Sequence, residues 1–103
     1  MDLNDKIHQL TLAHFPKSER FILTAQFKRA ADSIVLNIAE GSTGQSNASY
    51  KLFLSYSLRS TIEVVSCIFI AKRRSYIDEP TFKALYDECE ILSKMITALR
   101  NTL

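Results

Sequence analysis

One stretch decides the fold of this chain: FPKSERFILTAQFKRAADSIVLNIAEG, which runs from Phe15 to Gly41. Pro16 fixes φ just ahead of a helix, Ser18 can cap that helix, and Glu19 adds negative charge to its first turn. Gly41 suits the C′ position, where glycine takes the left-handed conformation that ends a helix. The stretch therefore predicts one long helix that begins near residue 18 and ends at the glycine.

Two rows of residues run along this predicted helix. Apolar residues recur three and four positions apart, which lays an apolar face along the 3.6-residue period. That face comprises Leu23, Phe27, Ala30, Ala31, Ile34 and Ile38. The second row is polar, has steps of four, four and three, and lies beside the apolar face. It consists of Arg29, Ser33, Asn37 and Glu40.

Two more helices are predicted, one before this stretch and one after it. Residues 3 to 14 have apolar positions at near-helical spacing and predict a first helix of about three turns. After the small polar loop STGQSN, in which Ser46 or Asn47 can cap, a third helix is expected from about Ala48 to Arg74. Its apolar surface is broad enough to need two neighbours. The expected stripe is Leu54, Leu58, Ile62, Val65 and Phe69, widened by Leu52, Tyr56, Val64 and Ile68.

The last helix has a clear start signal. Asp78 or Glu79 provides a negatively charged N-terminus, and Pro80 is tolerated in the first turn. Apolar residues then repeat at steps of three and four to the end of the chain: Phe82, Leu85, Tyr86, Cys89, Leu92, Ile96, Leu99 and Leu103. This spacing is typical of a helix in a bundle.

Length and composition favour a single helical domain. The chain has 103 residues, of which 47% are hydrophobic, with only two Gly and two Pro. Alternating apolar and polar positions are never sustained, which argues against strands. The second and third helices have similar predicted lengths, about 23 and 27 residues, as antiparallel neighbours do. The predicted fold is all-α: one antiparallel up-down-up-down four-helix bundle over residues 1–103, with a short first helix.

Charge and cysteine content indicate a soluble cytoplasmic protein. The formal net charge of +2 makes only a mild electrostatic case for a nucleic-acid partner. Cys67 and Cys89 lie within apolar helical patterns without metal-type spacing, so we expect small core residues rather than a disulfide or thiol site. No charged and apolar leader begins the chain, and the longest apolar run, Cys67 to Ala71, is far shorter than a membrane span.

These residues resemble a bacterial family, the 23S rRNA intervening-sequence proteins, also called S23 ribosomal protein. The resemblance rests on FPKSERF followed by LTAQFKRAADSIVLNIAEG, a small polar loop, the FLSYSLRSTIEVV pattern, and IAKRRSYID before the last helix. It covers residues 15 to 79 well and the remainder loosely. Family members usually have a longer first helix with a Trp and a Tyr, whereas this chain has 14 residues before the FP element and no Trp.

The resemblance implies an up-down-up-down bundle that assembles into homo-oligomers, with pentameric rings among relatives, and it implies no catalysis. Family members encoded within large-subunit rRNA genes have no settled role. A related accessory protein of diversity-generating retroelements binds a reverse transcriptase and nucleic acid. The resemblance thus implies self-association, with RNA or a nucleoprotein as a second partner.

The polar row supports two interpretations, and Glu63 belongs with it because it matches the family motif. As a structural or subunit-interface network, Ser33 and Asn37 would satisfy each other or nearby backbone, and Arg29 would pair with Glu40 or Glu63. As a site, the two glutamates could act as acid and base or hold a metal. A di-metal bundle needs Glu-x-x-His motifs, and the only histidines, His8 and His14, precede the second helix. The network interpretation is favoured.

The basic residues also support two interpretations. Besides Arg29, the second and third helices contain six basic residues that are candidates for nucleic-acid contact: Lys28, Lys51, Arg59, Lys72, Arg73 and Arg74. The last three form a run that would complement a helix dipole and stay solvated, which is the favoured interpretation. Multiplied around a ring, the same residues could form a phosphate-contacting patch.

The sequence therefore predicts a non-enzymatic homo-oligomer that presents basic faces to RNA. The alternative is a nucleic-acid-binding adaptor that partners a reverse transcriptase. An enzyme ranks last because no nucleophile and base, metal cluster or phosphate loop can be assembled from the motifs. No cofactor, metal, membrane or small-molecule substrate is expected.

Overall fold

Three helices make up the described part of the protein. The computed structural model describes Leu3, residues 17–44 and residues 46–103, with side chains described for Leu3 and from residue 22 onward. Helix α1 spans Lys17–Gly41, α2 spans Asn47–Arg73 and α3 spans Glu79–Asn101. These residues contain no strand, so the all-α prediction holds for them. The predicted first helix lies outside the described residues except for Leu3, which is helical and buried in the core.

Local capping sets where α2 and α3 begin. The Ser49 amide donates to Ser46 Oγ at 3.0 Å, and the Thr81 amide donates to Asp78 Oδ1 at 2.8 Å. Both caps have extended backbone, as N-caps do. Of the alternatives that the sequence left open, Ser46 and Asp78 are the caps.

Helix α2 is the central element. It packs against both α1 and α3, whereas the described backbones of α1 and α3 do not approach each other closely. Its length and hydropathy would suffice to cross a membrane, but the core helix of a soluble protein passes the same test. The two neighbours predicted for this helix are both supplied within the chain.

The predicted apolar surface of α2 is confirmed in part. Leu54, Val64 and Ile68 are buried, and Leu58 and Val65 pack against the core. The other predicted residues are exposed. Ile62 is 66% exposed and Phe69 and Leu52 are each 50% exposed. The buried face consists of Leu54, Ser57, Ser60, Thr61, Val64, Cys67, Ile68 and Ala71. Most of these side chains are small, so neighbouring helices can approach closely, whereas large side chains at the same positions would hold them apart.

The predicted left-handed conformation of Gly41 is also wrong. Among the described glycines only Gly44 has a positive φ, +86°. Gly41 is buried as the last residue of α1, and a Cβ there would lie 2.8 Å from Phe53 Cβ and 2.8 Å from Tyr50 Cδ1. Glycine is needed at this position because α1 and α2 approach closely.

Replacing Gly41 should therefore destabilise the protein. We expect Gly41→Ala to lower the free energy of unfolding by about 1–2 kcal/mol, because the added Cβ meets Phe53 close to its backbone. This net loss is what remains when the ~1 kcal/mol that alanine gains over glycine in a helix is subtracted from an overpacking cost of about 2–3 kcal/mol. Urea unfolding followed by circular dichroism measures it. Gly44→Asn is the control, since asparagine tolerates a left-handed backbone and nothing lies within 4 Å. Unchanged or increased stability of Gly41→Ala would contradict the close approach.

Candidate functional site

A polar seam joins α1 to α2 and contains two members of the predicted row. Asn37 Nδ2 donates to the Ser33 carbonyl at 2.8 Å and to Ser33 Oγ at 3.0 Å. Ser60 Oγ donates to Ser33 Oγ at 2.8 Å across the two helices. Because these groups are half-buried or buried and bonded to one another, the seam fixes the register of α1 against α2.

Two further polar residues lie deeper in the same seam. Ser57 Oγ donates to the Ile34 carbonyl at 3.0 Å, and Thr61 Oγ1 donates to the Ser57 carbonyl at 2.9 Å. Ser57 is 0% exposed and Thr61 is 1% exposed. The sequence reasoning missed Ser57, Ser60 and Thr61, although positions 57, 60, 61, 64 and 68 have helical spacing. It weighted large apolar side chains, and small hydroxyl residues were not counted as core.

The charged members of the row lie at the surface. Arg29, Glu40 and Glu63 are exposed, and within residues 22–44 and 46–103 no ion pair joins Arg29 to either glutamate. Burial raises the pKa of the Cys67 thiol, the Glu63 carboxylate raises that pKa further, and the Arg29 guanidinium lowers it. The opposite charges of Arg29 and Glu63 thus both act on the Cys67 thiol.

Chemistry at the cysteines is disfavoured. Cys67 and Cys89 are both buried and unpaired with each other, as predicted. Burial raises the pKa of Cys89 to about 12, and the Glu88 carboxylate adds to that rise. A thiol with a raised pKa stays protonated at neutral pH and is a poor nucleophile or metal ligand. In the described part of the chain no three His, Cys, Asp or Glu side chains are grouped to hold a metal ion.

The outward face of α2 is basic. This helix contains four basic residues, Lys51, Arg59, Lys72 and Arg73, and one acidic residue, Glu63, which gives a net charge of +3. Lys51, Arg59 and Arg73 are exposed, and at 100° per residue they fall within about 80° of the helix surface. The Arg59 guanidinium lies 5.9 Å from the centre of the Tyr56 ring.

The other predicted basic residues do not join this face equally. Lys72 already has two contacts within the chain: its Nζ lies 2.9 Å from Glu79 Oε2 and 4.2 Å from the centre of the Phe82 ring. Arg74 caps α2, with its amide donating to the Ile70 carbonyl at 3.0 Å. Lys28 is half-buried on α1. Of the predicted set, Lys72 alone therefore has its charged group held by the contacts described here, and Lys51, Arg59 and Arg73 share the exposed face.

An aromatic cluster lies where the end of α2 meets the start of α3. The Phe69 ring centre lies 5.0 Å from that of Phe82 and 6.0 Å from that of Tyr86, in edge-on arrangements. Phe69 is 50% exposed and Tyr86 38% exposed. Phe69 also lies in a groove of about 590 Å³, whose described lining is Ser66, Phe69, Ile70, Lys72 and Arg73 of α2. The sequence did not indicate the aromatic cluster, because its rings come from two helices.

The comparisons with known proteins agree on one family. The sequence model of the 23S rRNA-intervening sequence protein family matches residues 1–98. A crystal structure of a protein of unknown function from the S23 ribosomal protein family of Bacteroides thetaiotaomicron VPI-5482 is similar to this chain, with a TM-score of 0.77 and 19% identity. The similarity covers 95% of this chain and 97% of that one. No curated protein matches the sequence.

Proposed function

Because the chain belongs to the 23S rRNA-intervening sequence protein family, we propose that it is a non-enzymatic cytoplasmic protein that assembles with copies of itself and associates with RNA. Its subunit is a four-helix bundle in which the segment before α1 supplies the fourth helix. Two observations support this arrangement. Helices α1 and α3 each pack on α2 while their described backbones do not approach each other closely, which is the arrangement of diagonal helices in such a bundle. The buried Leu3 also belongs to the same core.

The observation that carries self-assembly is an exposed apolar ridge on α3, formed by Ile91, Met95 and Leu99. These side chains stand four residues apart, one on each successive turn, and are 58%, 64% and 39% exposed. Fully burying a side chain of this size is worth about 1.5–3 kcal/mol. A contiguous apolar stripe, unlike scattered apolar residues, is typical of a contact surface. The Lys94–Glu90 ion pair, at 3.3 Å, borders the ridge with the polar rim that such contacts have.

A charge on the ridge should separate the subunits. We expect Met95→Glu to convert an oligomer into a monomer of 11.7 kDa, because assembly would bury an unpaired carboxylate. Sedimentation velocity at micromolar concentration measures the mass, and five times the subunit mass would correspond to a pentamer. The matched control is Ile62→Glu, which alters a side chain of similar exposure, 66%, on α2. A monomeric wild type would contradict assembly, and equal dissociation of both variants would contradict the ridge as its site.

RNA association is proposed from the basic outward face of α2. Contacts between lysine or arginine and phosphate release counterions, so the affinity for RNA should fall steeply with salt. The double variant Arg59→Glu, Arg73→Glu should abolish binding measured by fluorescence anisotropy. Each single variant of these two arginines should weaken binding more than Lys83→Glu on α3, which changes the net charge by the same amount. The alternative is an adaptor that binds a reverse transcriptase through the same face. Wild-type protein that binds no RNA at low salt would remove the RNA proposal.

A further inference from the structure

We infer that the groove at the end of α2 binds an unpaired base of single-stranded RNA against the Phe69 ring and that Arg73 contacts the adjoining phosphate. This inference rests on the RNA association proposed above and specifies where the RNA binds and that the RNA is single-stranded. Phe69 and Arg73 both line the groove. The rings of Phe82 and Tyr86 on α3 pack edge-on against Phe69.

The three rings divide into a supporting part and an accessible part. Phe82 is 9% exposed, stacks on Tyr86 at 5.9 Å, and receives the Lys72 ammonium group over its face at 4.2 Å. These contacts hold the Phe82 ring in place against Phe69. Phe69 and Tyr86 remain half-exposed and stand nearly perpendicular, at 84°. Flat apolar rings held rigidly at a surface are what nucleobases stack on, and every base has a face that can do so.

The cation beside these rings is correctly placed for a phosphate. Arg73 follows Phe69 by four residues and therefore lies on the same side of α2, one turn and about 6 Å further along the helix. This spacing is similar to that between a base and its own phosphate. Lys72 is neutralised by Glu79, whereas Arg73 is exposed and forms no ion pair within the described residues. Arg73 is thus the groove cation that a phosphate can reach.

The dimensions of the groove select a single strand. A volume of about 590 Å³ accommodates one inserted ring system and not a helix of RNA. In an RNA duplex the base faces are stacked on one another and cannot reach Phe69 or Tyr86.

The test compares two labelled RNAs by fluorescence anisotropy at low salt: a ten-nucleotide oligouridylate and a blunt duplex of the same length. We expect the wild type to prefer the single strand. Phe69→Leu and Tyr86→Leu, which keep an apolar side chain but remove the ring, should each weaken oligouridylate binding by about 5- to 100-fold and leave duplex binding unchanged. Ile62→Ala is the matched control, because it alters an exposed apolar side chain of α2 outside the groove.

The possible outcomes distinguish a failure of this inference from a failure of the RNA association on which it rests. If both leucine variants bind oligouridylate like the wild type while Arg59→Glu, Arg73→Glu does not, stacking in the groove is wrong and RNA association stands. If the wild type binds neither RNA, RNA association itself fails. If Phe69→Leu instead lowers the oligomer mass in sedimentation, the groove is a subunit contact and the inference is overturned. Circular dichroism spectra equal to the wild type establish that each variant is folded.

Discussion

Phe27→Ala lowers the free energy of unfolding by about 3–5 kcal/mol, the range measured for removing a buried aromatic ring. Phe27 is 0% exposed and is the largest of the fully buried side chains. It stands on α1 in the same core as Leu54 and Ile68 of α2 and Leu85 of α3. Its removal loses the transfer free energy of the ring and leaves a cavity that packed helices cannot close.

Urea unfolding of both proteins at the same concentration measures this difference. Ile22→Ala on the same helix is the control, because Ile22 is 65% exposed and should change the free energy of unfolding by less than about 0.5 kcal/mol. Since small domains are stable by only about 5–15 kcal/mol, Phe27→Ala removes a large share of the total. An equally small effect of both substitutions would show that Phe27 is not in the core.

Ser57→Leu lowers the free energy of unfolding by about 3 kcal/mol, through two effects at the polar seam. The larger side chain overpacks the place where α2 lies against α1, which costs about 1–3 kcal/mol. It also removes the hydrogen bond from Ser57 Oγ to the Ile34 carbonyl, which is worth about 1 kcal/mol. Ser57 is 0% exposed, so no space is open to receive the added atoms without movement of a helix.

Two further variants separate these effects. Ser57→Ala removes only the hydrogen bond and should cost about 1 kcal/mol. Ser66→Leu introduces the same side chain at an exposed serine of the same helix, where it should be nearly neutral. A Ser57→Leu protein as stable as the Ser66→Leu protein would contradict the close packing of α1 on α2.

The predicted parts of the site are those that lie within one helix. Ser33 and Asn37 were expected to bond because they stand four residues apart, and Asn37 does donate to Ser33. Ser60, which bonds to Ser33 from the next helix, was not expected. A sequence read one helix at a time gives no register between α1 and α2, so a contact between residues 27 positions apart could not be found.

The basic residues likewise were predictable within one helix but not between helices. Their positions on α2 were known, and helical spacing alone places Lys51, Arg59 and Arg73 on one side. The contacts of Lys72 with Glu79 and Phe82 could not be predicted, because they depend on the turn that brings α3 back against α2. Glu79 and Phe82 also lie in the following helix, where the sequence analysis assigned them only to a cap and a stripe.

By itself, the sequence determined the helical class, the ends of α2 and α3, and the buried face of α1, because caps and a strong apolar period act through neighbours a few residues away. The tertiary structure decided which face of α2 is buried. Of the large side chains expected in the core, Leu54, Val64 and Ile68 are buried. Ile62 and Phe69 are exposed, because at 100° per residue they lie on the opposite side of α2 from Ser57, which bonds to α1. At the surface, Phe69 contacts Tyr86 of α3, a contact that depends on how two helices pack and not on their separate sequences.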